Sequence, residues 1–369
     1  MKPLSLKKSA LLSSAVFIFF AALFVFTEKR GGGYIAAKIA YSAFPAAITF
    51  LIFYTGKISK YRSIFFITSA AAFIIVFKFK LWGLTKNIII APRENVPEVP
   101  FCHIAIASNF LVAFLDQAKA VFFYNWTEWG FYSFGVLYIF ATLGIGQAFC
   151  SWGCFYGGID EGFSKVLKKK TVKINNVPRR LRDFPLGFWI FLMLASLVLV
   201  EPVFCLWFCP LKLTTALLND GAKLVYKMQI IVFVTIGILF LFVFPLLIKK
   251  RTFCSFICPF GAFISVAGRV NPYRVVIDKE KCAKCGDCID SCPMMAITPE
   301  RKVLPYCVKC GKCIDVCGNN AIKLGIRNSE FGTENTEIFF ILSCVVFGGM
   351  ISSFFIPEAV IVIFKIAGI

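Results

Sequence analysis

The chain has 369 residues, 59% of them hydrophobic, with 44 phenylalanines and a net charge of +20. That apolar content, gathered in runs of about 18–20 residues, describes a polytopic membrane protein and excludes a set of ordinary soluble domains. The excess Lys and Arg sit beside the apolar runs, so they read as membrane topology with anionic lipid as partner; no nucleic-acid recognition module is visible, which excludes that class.

Lys7-Lys8 and the apolar run to Phe26 mimic a signal peptide, but no small-residue cleavage site follows, so a retained first span is expected. Spans are predicted at about 9–26, 34–55, 63–82, 130–149, 184–204, 228–248 and 338–356, each long enough to cross the hydrocarbon core as a helix. Lys7-Lys8, the Lys57–Arg62 segment, the basic stretch 165–182 and Lys249-Lys250-Arg251 are all expected inside, with the C-terminus outside. Residues 101–123 carry Asp116 and Lys119 and are read as an outer-leaflet amphipathic or re-entrant helix. Those two charges, three apart, can pair on a helix; the alternative is that Asp116 accepts a proton beside a quinone. Glu128 and Glu201 are further ionisable groups to watch, while Trp82, Trp126 and Trp129 fit interfacial anchors.

Fourteen of the sixteen cysteines fall into five tight motifs, which favours metal ligation over a disulfide framework. Three motifs are C-x3-C pairs: Cys150/Cys154, Cys205/Cys209 and Cys254/Cys258. Such a pair is half a site, its thiolates one helical turn apart. The first and third pairs lie at inner span ends and together supply the four thiolates of one cluster. By the span count the second pair falls at the outer end, with Cys102 and His103. An outer cluster completed by His103 or an external ligand, a redox-active dithiol, and plain packing all stay open there. His103 is the single histidine, so no bis-histidine haem is expected. Cys344, alone in the last span, reads as an apolar filler.

The remaining eight cysteines form C-x2-C-x2-C-x3-C twice, as Cys282, Cys285, Cys288, Cys292 and as Cys307, Cys310, Cys313, Cys317, repeated at a shift of 25 residues. Bacterial two-cluster ferredoxins hold two [4Fe–4S] clusters with this run, the fourth cysteine of each crossing to the other cluster. The expected sets are therefore Cys282, Cys285, Cys288 with Cys317, and Cys307, Cys310, Cys313 with Cys292. Gly286 and Gly311 let backbone approach the sulfides, and Gly318 replaces the proline that follows the first run. So little apolar material surrounds these loops that the clusters are expected to hold the fold.

The expected fold is mainly α: about seven spans with an inserted α+β double-[4Fe–4S] ferredoxin-like domain. Its parts are 1–125, an N-terminal membrane region with the outer segment; 126–270, the C-x3-C membrane core; 271–326, the cytoplasmic ferredoxin-like domain; and 327–369, a C-terminal span.

Cys150-x3-Cys154 and Cys254-x3-Cys258-Pro259-Phe260-Gly261-Ala262, flanking spans and followed directly by the double ferredoxin run, resemble the NapH/NosR family of polytopic membrane ferredoxins over about residues 130–326. The resemblance implies quinol-linked or ferredoxin-linked electron transfer between a cytoplasmic face and an exported reductase or maturation system, in a prokaryotic inner membrane. The first pair departs from the family's cysteine-proline, reading Cys154-Phe155, and no covalent flavin motif is present. The basic inner face would draw an acidic soluble donor such as ferredoxin or flavodoxin. An outer-face redox partner or other membrane subunits would complete the system. A transmembrane wire, a quinol dehydrogenase, a thiol-reducing pump through Cys205/Cys209 and a redox-sensing anchor are the readings that follow.

Overall fold

A computed structural model of the chain describes residues 1–28, 32–76, 104, 107–108, 141–167, 171–172, 177–199, 203–210, 224–326 and 334–367. Among these residues six helices are long and apolar enough to cross a membrane: Leu6–Thr27, Gly33–Thr55, Ile58–Val76, Arg180–Leu199, Lys227–Ile248 and Glu334–Phe364. They answer to six of the seven expected spans. The remaining one, 130–149, falls mostly outside the described residues, and its described end breaks into a tight turn at Gly146–Ala148.

Helices α1 (Leu6–Thr27), α2 (Gly32–Thr55) and α3 (Ile58–Val76) open the chain. Ser5 caps α1, its hydroxyl accepting from the Lys8 amide, and Ser13 donates to the Ala46 carbonyl at 2.8 Å to lock α1 on α2. Two short helices, α4 (Phe149–Trp152) and α5 (Phe155–Val166), carry the first cysteine pair between them. Span α6 (Arg179–Leu199) is followed by the short α7 (Val203–Trp207). Helix α8 (Leu224–Gly237) passes through a π-helical stretch, Ile238–Val243, into α9 (Phe244–Ile248). The π stretch loosens the backbone ladder, and Thr252 donates to the Phe240 carbonyl at 2.7 Å. Helices α10 (Thr252–Phe256) and α11 (Pro259–Ala267) repeat the α4–α5 arrangement around the third pair.

The ferredoxin-like lobe follows. Strand β1 (Tyr273–Ile277) pairs antiparallel with β2 (Ile322–Ile326), in register from Tyr273↔Ile326 to Ile277↔Ile322. Between them lie α12 (Asp287–Ser291) and α13 (Lys312–Val316), one in each half of the repeat. The chain re-enters the membrane through α14 (Glu334–Ser352) and α15 (Ile356–Ala367), with the Tyr41 hydroxyl donating to the Gly349 carbonyl at 2.7 Å.

The lobe is fastened to the bundle. Asp315 of α13 caps α3, accepting from the Ile58 amide at 3.0 Å and the Ser59 amide at 2.7 Å. Ser151 donates to the Val308 carbonyl at 2.7 Å and Gln147 to the Pro305 carbonyl at 3.1 Å. One hydrophobic core runs from Phe65, Trp152 and Phe253 of the bundle into Val275, Met294, Ile314 and Leu324 of the lobe. The lobe's scarcity of apolar residues is thus met partly by the bundle on which it sits. The start of α1, the α2–α3 junction, the start of α6 and the Lys249–Arg251 corner all share the end of the bundle that carries the lobe.

Two expectations need correcting. Arg62, Lys250 and Arg251 were expected as topology anchors facing lipid headgroups or water. They are instead buried, at 1%, 3% and 0% exposure, because buried carbonyls and a carboxylate supply their partners. The second cysteine pair was expected at the outer end of the span before it. Helix α6 ends at Leu199, the Val203 amide bonds back to the Ser196 hydroxyl, and Phe208 packs edge-on against Phe188 at 5.1 Å. The α7 segment therefore doubles back along α6, which brings Phe208 roughly 16 Å short of the helix end at 1.5 Å per residue.

Candidate metal centres

The first and third cysteine pairs share one local design. Cys150 and Cys254 sit inside the short helices α4 and α10; Cys154 and Cys258 follow in extended conformation and begin α5 and α11. A sulfur at a helix start faces unpaired backbone amides. Gly261 accordingly donates its amide to Cys258 Sγ at 3.4 Å, and the Tyr156 and Gly157 amides serve Cys154. Phe155 stands where Pro259 stands in the other copy, and the helix starts equally well, since the first helical position needs no amide. All four cysteines line a single cavity, closed by Leu186 of α6 and by Met294 and Tyr306 of the lobe.

Asp160, fully buried on α5, accepts from the Thr252 amide at 3.2 Å and the Cys254 amide at 3.0 Å, so it ties one pair's loop to the other's helix. Next to it, Glu161 accepts from Arg62 at 2.6 Å, from Lys165 at 2.9 Å and from Arg251. Arg251 also donates to the Cys150 carbonyl at 3.1 Å, and Arg62 to the Ser151 carbonyl at 2.7 Å and the Cys310 carbonyl at 3.0 Å. None of these five acidic and basic residues was singled out for the site from sequence. The signal available was the Asp160-Glu161 pair itself, two carboxylates six residues beyond a cysteine in an otherwise apolar stretch.

In the lobe, Cys282, Cys285, Cys288 and Cys317 line one cavity. The other four stand close enough to act on one another. Burial, then the neighbouring Cys292, pushes the Cys307 thiol up to about 12, and burial followed by Cys307, Cys310 and Cys292 raises that of Cys313. The fourth cysteine of each run thus faces the other half of the repeat. The repeat holds in detail: the Ala296 amide donates to Cys292 Sγ and the Ala321 amide to Cys317 Sγ, each at 3.3 Å.

Burial also raises the Cys150 and Cys254 thiols; the neighbouring cysteines add repulsion at Cys150, and Asp160 followed by the cysteines does so at Cys254. Thiols held neutral in this way would become thiolates on binding a metal ion or cluster, and binding would release protons. The donor sets, thiols around a cavity with amides on the sulfurs, fit [4Fe–4S] chemistry. Among the described residues no three His, Cys, Asp or Glu side chains converge as they would on a single ion, and no disulfide joins the described cysteines.

The second pair comes inward. Cys209 Sγ lies 3.3 Å from the hydroxyl of Tyr156, a buried ring two residues beyond Cys154 that stacks on Phe253. Cys102, His103, Asp116, Lys119, Glu128 and Glu201 lie outside the described residues. Just beyond His103, the carbonyl of buried Ala107 accepts from Trp189 of α6 at 2.9 Å. Cys344 is fully buried within α14.

Comparison with known proteins agrees with this geometry. A 4Fe-4S dicluster domain matches residues 274–318. A 4Fe-4S binding domain matches three times, at 128–173, 184–227 and 230–273, and each stretch contains one C-x3-C pair. The methylamine utilization ferredoxin-type protein MauN of Methylobacillus flagellatus is 31% identical over 153 residues, 40% of this chain and 48% of that protein. The ferredoxin-type protein NapH of Escherichia coli is 28% identical over 153 residues, 40% of this chain and 47% of that one. MauN of Paracoccus denitrificans is 27% identical over 159 residues, 42% and 51% of the two chains. The chain spans about half the length of the curated relatives it matches. No solved structure matches.

Proposed function

We propose, from the premise that the chain belongs to the NapH-type membrane ferredoxins, that it passes single electrons between a cytoplasmic donor and an acceptor reached through the membrane. The observation that carries this reading is the one cavity lined by Cys150, Cys154, Cys254 and Cys258 at the junction of lobe and bundle. When bound, [4Fe–4S] clusters supply the one-electron chemistry. Cys282, Cys285, Cys288 and Cys317 would hold the outermost in the lobe, Cys292, Cys307, Cys310 and Cys313 the next, and the two C-x3-C pairs the third. The protein's own work is to hold these sites in a row, exclude water from the last two and set their charge environment.

The lobe side, with its basic anchors, is the cytoplasmic side by the positive-inside rule. There an acidic soluble donor would dock, its encounter speeded by the chain's net charge of +20. Cys205 and Cys209 continue the row inward, since Tyr156 reaches both the first pair and Cys209. A further metal site completed by Cys102 or His103, or a dithiol, suits that position. A quinol-dehydrogenase reading keeps Asp116 as its proton group.

Iron and acid-labile sulfide counts on anaerobically purified chain test the reading. At least about twelve irons are expected, four for each of three clusters, with more where the second pair also holds metal. A count near eight would confine iron to the lobe and refute the membrane-side centre. Serine at both Cys205 and Cys209 then discriminates: lost iron marks a metal site, whereas retained iron with lost thiol–disulfide exchange marks a dithiol.

A further inference from the structure

Three buried cations meet between the lobe and the C-x3-C site, and each grips the main chain of a cysteine assigned above. Arg62 donates to the Cys310 carbonyl at 3.0 Å, Lys250 to the Cys292 carbonyl at 2.8 Å and Arg251 to the Cys150 carbonyl at 3.1 Å. The Arg251 amide also donates to the Pro293 carbonyl at 2.9 Å, so this residue spans both sites. The two guanidiniums flank the ring of Phe66, at 5.6 and 5.2 Å from its centre, and share Glu161. Arg251 Nε is buried without a hydrogen-bond partner among the described residues.

A purely structural clasp between two protein surfaces needs no such charge. Buried ion groups are often no better than apolar packing, and here Arg62, Arg251 and Lys165 all converge on the single carboxylate of Glu161. Unbalanced positive charge is costly unless negative charge lies next to it. Four thiolates around iron supply that negative charge on both sides, and one more unit arrives with each electron.

Resting on the function proposed above, we infer that Arg62, Arg251 and Lys250, trimmed by Glu161, are positioning residues that set the electron affinity of the Cys292/Cys307/Cys310/Cys313 site and the Cys150/Cys154/Cys254/Cys258 site together. Sharing one carboxylate keeps the two neighbouring affinities matched, so an electron meets no large step between them. Lys165, 42% exposed, adds a weaker, solvent-screened contribution through the same carboxylate.

Potentiometric titration of the purified full chain, followed by electron paramagnetic resonance, tests this. Arg62→Gln is expected to lower the potential of the lobe site by about 59 mV or more, tenfold in the reduced-to-oxidised ratio for one electron. Glu161→Gln is expected to raise both potentials. Arg62→Gln combined with Glu161→Gln restores the net charge and returns both toward the parent, and Arg62→Lys keeps them there. Should Arg62→Gln fail to assemble, Lys250→Met removes the same sign of charge from Cys292. Variants that keep parental iron with unmoved potentials, or a double variant worse than either single one, would overturn the inference. A parent with only eight irons would instead refute the membrane-side centre, and the Arg62 and Lys250 effects on the lobe site would still be measurable.

Discussion

Asp160→Ala should empty one centre and leave the other two. Its carboxylate is fully buried and takes two backbone amides of the Thr252–Cys254 turn, at 3.2 and 3.0 Å. Alanine leaves both amides without an acceptor in a dry interior. Each unmet buried donor costs about 1–3 kcal/mol, so the turn loses about 2–6 kcal/mol of local stability. That loss falls on the element that carries Cys254 and Cys258, whose proposed grip on iron would depend on meeting Cys150 and Cys154 across the cavity they line together. Metal affinity and local folding are one free energy here. We therefore expect iron per chain to fall by about four, from about twelve to about eight, while the lobe signals persist. Asp160→Asn keeps one acceptor oxygen and should retain intermediate occupancy. Iron and sulfide analysis with paramagnetic resonance of the reduced protein reads both. Full iron and parental signals in Asp160→Ala would refute the reasoning, because nothing else on α5 bonds to that turn's amides at Thr252 and Cys254.

Crossed ligation predicts that Cys317→Ser removes the same spectroscopic signal as Cys285→Ser, and Cys292→Ser the same signal as Cys310→Ser; signals that sort by sequence run would refute the crossing. Gly286 and Gly311 begin α12 and α13 at φ of 86° and 76°, but a Cβ on Gly286 meets open space, whereas one on Gly311 would lie 2.8 Å from Ile58 of α3. Gly286→Ala should thus cost about 1 kcal/mol of backbone strain. Gly311→Ala should cost clearly more and loosen the lobe from the bundle, read as a lower melting temperature and faster proteolysis of the lobe. Tyr156→Phe removes the contact at Cys209 and is expected to raise the rate of alkylation at that thiol with lobe iron unchanged; an unchanged rate would count against the inward position of the second pair.

The cluster-binding character, the span count and the repeat within the lobe were legible in the chain, because cysteine spacing and apolar run length are local properties. The double run demands ligand loops of fixed size, and an apolar run of 20 residues is a span whatever lies beside it. The crossing of Cys292 and Cys317 is an expectation of the same local kind, since three cysteines on one loop leave a fourth position to be filled from the other half, and the serine variants above test it. The meaning of the basic residues was not. Composition makes Arg62 and Arg251 look like topology markers, and only the packing of α3, α5 and α10 against the lobe shows them as buried partners of Glu161.

What the sequence by itself determined is the chemistry: which atoms can hold iron, and which stretches prefer lipid. Tertiary structure decided the spatial order of those parts. It closed two pairs, 104 residues apart from Cys150 to Cys254, around one cavity, turned α7 back so that Cys209 reaches Tyr156, and seated the lobe on α3 through Asp315. These contacts join residues far apart in the chain, and their free energy comes from mutual burial and shared hydrogen bonds, which no local run of residues encodes.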